Sequence, residues 1–315
     1  MDNMETHLNL TQDIRFSLLM ANFNNAKYIE EAIDSIISQT YSNWELIIID
    51  DCSTDNSIQI ITPYLKNKKI KLIKTKKNLG YSGALKTAIT KASNKVIGVI
   101  DADDKLHINA LEKIAEAYEK NPDCGFIYST MWICDSELKN CKVCKWINSI
   151  KPGDSMIIKS KVSHFKTFHL DMYKKTTGFN SKYIRATDVD IVLKLEEVTN
   201  FKFVNIPLYY YRVHSCGISQ GKKNKYKAQV QGYIAKNNAY IRRLNTNIPN
   251  ISLKDLYLEY FLITFHDFVF KFTLSTIIKI IIPLMENILK SLPRLSKKLR
   301  EVIDFLLTFL NKWKS

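Results

Sequence analysis

No uncharged apolar run in this 315-residue chain reaches the ~18 residues that a membrane span requires, so the chain is not expected to cross a bilayer. Residues 1–13 lack both a basic n-region and an apolar h-region. Nothing there marks the protein for secretion, and a cytoplasmic location is expected. A Gly-x-Gly-x-x-Gly fingerprint after the first predicted strand is missing, as is a Gly-x-x-x-x-Gly-Lys-Ser/Thr loop, which removes support for dinucleotide and P-loop binding. Acid is scarce: 31 Asp and Glu stand against 46 Lys and Arg, for a formal net charge of +15. Much of the excess lies in residues 220–315, with seventeen basic residues against six acidic ones. That third seeks an anionic surface, either nucleic acid or an anionic membrane leaflet. The six cysteines read as reduced thiols rather than a disulfide framework. Cys141-Lys-Val-Cys144, with Cys124 and Cys134 upstream, matches no familiar zinc spacing.

What is present is ordinary for a globular protein, with 46% hydrophobic and 24% charged residues. Arg15 to Met20 is a short β run followed by the polar turn Ala21-Asn22-Phe23-Asn24-Asn25. From Tyr28 to Gln39 the apolar residues recur at the spacing of a helix with one buried face. Trp44 to Ile49 is a fully apolar strand that ends in Asp50 and Asp51, and Ser53 to Asn56 offers N-caps for a helix through Ile58 to Leu65. A third strand at Lys69 to Lys74, a turn at Asn78 to Gly83, a helix at Ala84 to Ala92 and a fourth strand at Lys95 to Ile100 continue the alternation. Strand and helix alternating in this way predict a doubly wound α/β sheet with mostly parallel strands.

The fourth strand runs into Val99-Ile100-Asp101-Ala102-Asp103-Asp104. On an extended chain Asp101 and Asp103 point the same way and can address one ligand group, such as a divalent metal carrying phosphates. The plainer reading is an Asp-rich turn capping a helix over Ile108 to Lys120. Parallel strands present their C-terminal ends at one sheet edge, so Asn22, Asn24, Asp50, Asp51, Asp101 and Asp103 should meet in a single crevice.

At these residues the chain resembles the family 2 glycosyltransferases of the GT-A fold, which are inverting and nucleotide-sugar-dependent; the likeness covers roughly residues 15 to 220. Ser17 to Asn24 resembles the first strand and its Pro-x-Tyr-Asn turn, with Ala21 and Phe23 in place of proline and tyrosine. Ile49 to Asp55 resembles Val-Asp-Asp-Gly-Ser-x-Asp, which implies that Asp51 reads a uracil imide and sets Cys52 in the place of glycine. Asn78-Leu79-Gly80 resembles an Asn-x-Gly turn, with Leu85-Lys86 where Arg-Asn is common and Lys86 left as a pyrophosphate partner. Asp101 to Asp104 resembles the Asp-x-Asp motif, implying Asp103 as metal ligand and Asp101 near the ribose or the metal, with Mg2+ or Mn2+ as the ion.

Downstream, Ala186 to Leu195 resembles Gly-Glu-Asp-x-Asp-Leu-x-Leu-Arg-Leu, with Asp188 matching the general base and Thr187 replacing a glutamate. Asp188 and Asp190 can also be read as acids at a helix N-terminus, favoured by its dipole. Gly178-Phe179-Asn180 resembles the acceptor-side Gly-Gly-Phe-Asp turn, and Leu208 to His214 a strand that sends Arg212 and His214 towards pyrophosphate or metal. The implied layout is an extension at 1–14, a catalytic domain at 15–220 with donor half 15–105 and acceptor half 106–220, and a basic amphipathic helical region at 221–315.

The resemblance implies transfer of a hexosyl or N-acetylhexosaminyl group from a nucleotide sugar, UDP-linked, to a saccharide or lipid-linked saccharide in surface polysaccharide synthesis. The stripe Leu295, Leu299, Val302, Leu306, Leu310 and Trp313, flanked by Lys297, Lys298 and Arg300, suits an anionic membrane surface at the inner face of the plasma membrane, or packing on the catalytic domain or a second subunit. The departures at Ala21, Phe23, Leu85, Lys86 and Thr187 keep an inactive nucleotide-sugar-binding protein as the alternative. A nucleic-acid partner is not expected, because converging acids repel a phosphate backbone.

Overall fold

The computed structural model describes residues 14–151, 154–157, 161–215, 217, 222–243 and 308. The amphipathic stripe at 295–313 and the extension before residue 14 lie outside the described residues, apart from Thr308. The first compact unit ends at Ile248.

Its sheet begins with β1 (Phe16–Asn22), β2 (Trp44–Asp50), β3 (Ile70–Lys74) and β4 (Val96–Val99), all parallel, in the spatial order β3-β2-β1-β4. Both β1 and β2 are buried almost end to end, as strands covered on both faces must be. Between them run α1 (Ile29–Ile37), α2 (Ser57–Ile61), which continues as a 3-10 turn at Thr62–Lys66, and α3 (Gly80–Ile89). The acid at the start of β2, Glu45, is tolerated because Ser17, Ser93 and Lys71 all donate to it. Gly98 in β4 is there for space: a Cβ would sit 2.8 Å from Leu18 and 3.1 Å from Phe165.

The acceptor side adds β5 (Lys105–Leu106), α4 (Ala110–Lys120), β6 (Cys124–Cys134), β7 (Lys142–Val143), β8 (Lys166–His169), α5 (Leu170–Lys174), α6 (Thr187–Glu196), β9 (Asn200–Arg212) and α7 (Lys222–Arg243). The sheet continues β4-β8-β6-β9-β5, with β7 on β6. β8 runs antiparallel to both β4 and β6, while β9 is parallel to β6, so the sheet is mixed beyond β4. On α7, Arg243 is buried against Glu196 and Glu197 of the α6 end, and Arg242 also reaches Glu197.

Three expectations need correction. The helix after the acids begins at Ala110 behind Asn109, so Asp104 does not cap it; that carboxylate is buried and accepts the backbone N–H of Arg212 at 2.7 Å. The acids do not lie on extended chain either. β4 stops at Val99 and the Asp101–Asp104 segment is a turn, its Asp104 N–H donating to Asp101 O at 3.3 Å. Nor are all the cysteines thiols: Cys134 and Cys141 form a disulfide with their Cα atoms 4.1 Å apart. The turn between β6 and β7 folds the chain back and sets the two residues side by side, which the thiol count could not register. Cys141 is thereby removed as a zinc ligand.

Candidate active site

The first polar turn is stitched to the second. Asn22 donates to Asp50 at 2.8 Å and to Ser53 at 3.1 Å, and Asp50 in turn accepts the Ser53 N–H. Asn24, at φ 55°, accepts the N–H groups of Thr54 at 2.7 Å and Asp55 at 3.3 Å. Cys52 takes a left-handed φ of 66°. That conformation is natural for the glycine of the resembling motif, and costs a residue with a side chain roughly 1–2 kcal/mol. Phe23 stands 48% exposed beside these turns, an aromatic face open to a flat ligand.

Asp51 is buried, and both its oxygens are engaged: Leu79 N–H and Gly80 N–H donate at 2.8 Å, and Thr75 Oγ1 lies at 3.0 Å. It therefore caps α3 from a neighbouring segment, with a negative charge at the positive end of the helix. Asn78 closes the same turn by donating to Asp51 O at 3.1 Å, and Gly80 supplies the left-handed φ of 71°. Ala21 is the penultimate residue of β1 beside this wall. Lys86 is not brought to it: it projects to solvent from the last turn of α3, about 9 Å along the axis from Gly80.

Asp101 is half-buried at the crevice and is held from three sides. Tyr81, in the first turn of α3, donates to Asp101 Oδ1 at 2.6 Å; the Tyr209 hydroxyl accepts the Asp101 N–H at 3.0 Å; and His164 Nε2 lies 3.4 Å from Oδ2. His164 itself stacks on Tyr209, ring centroids 4.7 Å apart. Asp103 turns the other way and meets His214 Nε2 at 2.9 Å, while the His214 ring packs on Tyr28 with centroids 4.7 Å apart. Burial and the neighbouring Asp103 push the Asp101 carboxyl up to about 6. Burial, with Asp103 and Asp101 beside it, also raises Asp104 well above the usual carboxylate range. Burial and the nearby Lys166 lower His164, leaving a neutral imidazole.

These acids fit a hard divalent cation. One oxygen each from Asp101 and Asp104 and a nitrogen of His164 lie within 4.8 Å of one another, and Asp104 Oδ2 is buried without a hydrogen-bond partner. Carboxylates that raise one another's pKa are relieved by a bound cation. The predicted set Asp101, Asp103 and His214 shares Asp101 with this cluster and adds the Asp103–His214 contact.

Arg212 lies beside these groups, but its guanidinium is already committed. It donates to Asp103 O at 2.7 Å, Ser136 O at 2.6 Å and Glu31 at 2.6 Å, and it covers the Tyr28 ring at 4.7 Å. It is a strut for the acid turn.

The two acids opening α6 part company. Asp190 is buried and paired with Lys194 at 2.6 Å, and Lys194 also holds Gly178 O at 2.7 Å, fixing the Gly178-Phe179-Asn180 turn. Asn180 O accepts the Ser82 hydroxyl at 2.8 Å, which ties that turn to α3. Asp188 is half-buried and has neither a hydrogen bond nor an ion pair among the described residues, yet its charge is felt at both Tyr81 and Asp101. It is a carboxylate held near the acids and left unengaged.

The sequence assigns no site role to Tyr81, His164, Lys166 or Tyr209, although Tyr81 and Tyr209 lie in the turn at Asn78 to Gly83 and the strand at Leu208 to His214. His164 and Lys166 adjoin a stretch without periodicity, and only its pairing beside β4 reveals them.

Residues 17–185 match the family described as glycosyl transferase family 2. Over 211 residues the chain is 28% identical to a hyaluronan synthase of Pasteurella multocida, which covers 67% of this chain and 21% of that protein. Over 219 residues it is 28% identical to the UDP-Glc:alpha-D-GlcNAc-diphosphoundecaprenol beta-1,3-glucosyltransferase of Escherichia coli, covering 69% of this chain and 84% of that protein. In fold it matches S. aureus TarS 1–349 in complex with UDP-GlcNAc at a TM-score of 0.62 and 20% identity, over 75% of this chain and 68% of that one. The chain thus spans about a fifth of the length of the hyaluronan synthase. With more than half of its residues inside the family match, the chain belongs to glycosyl transferase family 2.

Proposed function

We propose that the chain is an inverting glycosyltransferase that moves a sugar from a UDP-linked donor to a saccharide or lipid-linked saccharide acceptor in surface polysaccharide synthesis. The observation that supports this best is the contrast between Asp188, unengaged and half-buried, and the enclosed acids whose field it shares. One group is free to take a proton while the others are arranged to hold charge. The hyaluronan synthase and the diphosphoundecaprenol glucosyltransferase among the relatives support the acceptor class.

In this reading Ala21, Phe23, Asn24, Asp50, Asp51, Asn78 and Gly80 wall the nucleotide, with the Phe23 ring against the base. Asp188 accepts the proton of the acceptor hydroxyl as its oxygen bonds to the anomeric carbon, from the side opposite the departing nucleoside diphosphate. A carboxylate is a weak base at neutral pH, so its contribution comes from position. Mg2+ or Mn2+, held by Asp101, Asp103 and His214 with Asp104 and His164 adjoining, would neutralise charge gathering on the leaving group. Arg212 and Glu31 keep the acid turn in place. The basic C-terminal third, beside a lipid-linked acceptor, supports peripheral association with the inner face of the plasma membrane.

The test is a panel of UDP-sugars incubated with the full chain and Mn2+, scored for release of UDP with and without a saccharide acceptor. Release that stops on chelation is expected. Absence of both binding and release across the panel overturns the reading, while binding without release leaves a nucleotide-sugar-binding protein.

A further inference from the structure

Beside Asp101 the acceptor side of the sheet holds a charge for which the transfer reaction, as proposed, has no use. Lys166 opens β8 opposite Val99 of β4 and is 2% exposed. His164, in the bend just before β8, lies beside Lys166, and Lys166 faces the end of β4, from which the chain leaves for Asp101. Among the described residues the Lys166 amine has one polar neighbour, His164 Nδ1 at 3.4 Å, and no carboxylate within ion-pair distance. An imidazole supplies no negative charge. The Lys166 charge is felt at Asp101, but Asp101 is already engaged by Tyr81 and lies against the other ring nitrogen of His164.

A buried ammonium without a hydrogen-bonded counter-charge is costly, and other buried cations of this fold do not tolerate that state. Lys194 has Asp190 at 2.6 Å, and Arg243 has Glu196 at 2.9 Å. Among the described residues Lys166 departs from this pattern, and it sits at the edge where the functional acids converge. Once the charge of Asp101 is taken up by a cation, Lys166 keeps no acid within ion-pair distance among the described residues, and an anion from outside the chain can balance it.

We propose that Lys166, oriented by His164, is an anion-recognition point of the substrate pocket, whose ligand is an anionic oxygen group of the nucleotide sugar. The inference rests on the nucleotide-sugar reading above. The shared chemistry is a phosphate or carboxylate oxygen accepting from the Lys166 ammonium. It has two sources: the diphosphate, common to every donor, or a carboxylate on the sugar ring, present only in uronate donors.

Calorimetric titration of the full chain in Mn2+ separates them, with UDP, UDP-glucose and UDP-glucuronate as probes against wild type, Lys166→Met and Lys166→Arg. The Met variant keeps the buried stem and removes the charge. It is expected to weaken at least one probe fivefold or more, to leave the ligand-free thermal midpoint unchanged or higher, and to be rescued by Arg. Loss across all three probes assigns the diphosphate, and loss confined to UDP-glucuronate assigns the sugar carboxylate. Binding of all three within fivefold of wild type overturns the proposal. So does a requirement for the charge in folding, seen as failure of both Lys166→Met and Lys166→Gln to fold, which would make Lys166 structural. If wild type binds none of the probes, it is the nucleotide-sugar reading that fails.

Discussion

Asp103 and His214 meet at 2.9 Å although 111 positions separate them in the chain. The contact joins the end of the donor half to the residues that follow the last strand, and it leaves Asp101 to a different imidazole, His164. The motif's two acids are therefore served by two histidines. Removing either side of the Asp103–His214 pair, by Asp103→Ala or His214→Ala, should weaken Mn2+-dependent UDP binding by at least about tenfold. Titration calorimetry with and without metal checks this, and unchanged metal-dependent affinity in both variants removes the pair as ligands.

Asp188 has no hydrogen-bond or ion-pair partner to lose among the described residues, so Asp188→Asn should leave the thermal midpoint and UDP affinity close to wild type. Transfer should fall by about 100- to 10,000-fold, the range of a positioned general base. Initial rates under saturating donor measure it. Asp190→Asn should behave in the opposite way, unfolding at lower temperature because Lys194 is left buried without its partner.

The Asp101 carboxyl titrates near 6 in the folded, metal-free protein and near the ordinary 3.8 when unfolded. Below both values the group is protonated in each state and contributes nothing to the pH dependence. As pH rises from about 4 to 6, the unfolded chain releases the proton first, so stability falls, by roughly 3 kcal/mol in all. Above that window the penalty stays constant. Denaturant unfolding across pH 4 to 8 in chelator should show this decline, and Asp101→Asn should reduce it and be the more stable protein at pH 7. A cation bound by Asp101 opposes the same loss, so added Mn2+ should stabilise most at the upper end of the range.

For Arg212 the committed guanidinium separates two roles. As a strut it stabilises the fold, and Arg212→Met should cost about 3 kcal/mol by leaving the Asp103 and Ser136 carbonyls and Glu31 without their donor. Thermal unfolding reads this as a drop of several degrees. A variant with unchanged stability and weakened UDP binding would instead return Arg212 to the pyrophosphate.

The donor half was legible because its signals are local. Apolar runs such as Leu46 to Ile49 end in acids, and Asn78-Leu79-Gly80 marks a turn whatever lies around it. The same local reading mistook the acid turn at Asp101 to Asp104 for extended chain, since tertiary partners bend it. His164 and Lys166 carry no periodic pattern, and their place follows from β8 pairing with β4, a relation between distant segments. The disulfide was hidden for a related reason: the reversal that sets Cys141 beside Cys134 depends on β7 pairing with β6. Asp188 and Asp190 looked alike in sequence, and the buried Lys194 distinguishes them.

The short strand β5, directly after the acid turn, pairs with β9 alone, Lys105 against Tyr210 and Leu106 against Tyr209. Apart from Tyr81 on α3, the turn's side-chain partners described above all come from later in the chain: His164, Tyr209, Arg212 and His214. A ribosome that has finished the motif has therefore not yet made most of what shapes it. The donor half can form its parallel strands early, but its acids take their working arrangement only after the chain has been synthesised past residue 214, so competence to bind arrives last in the order of assembly.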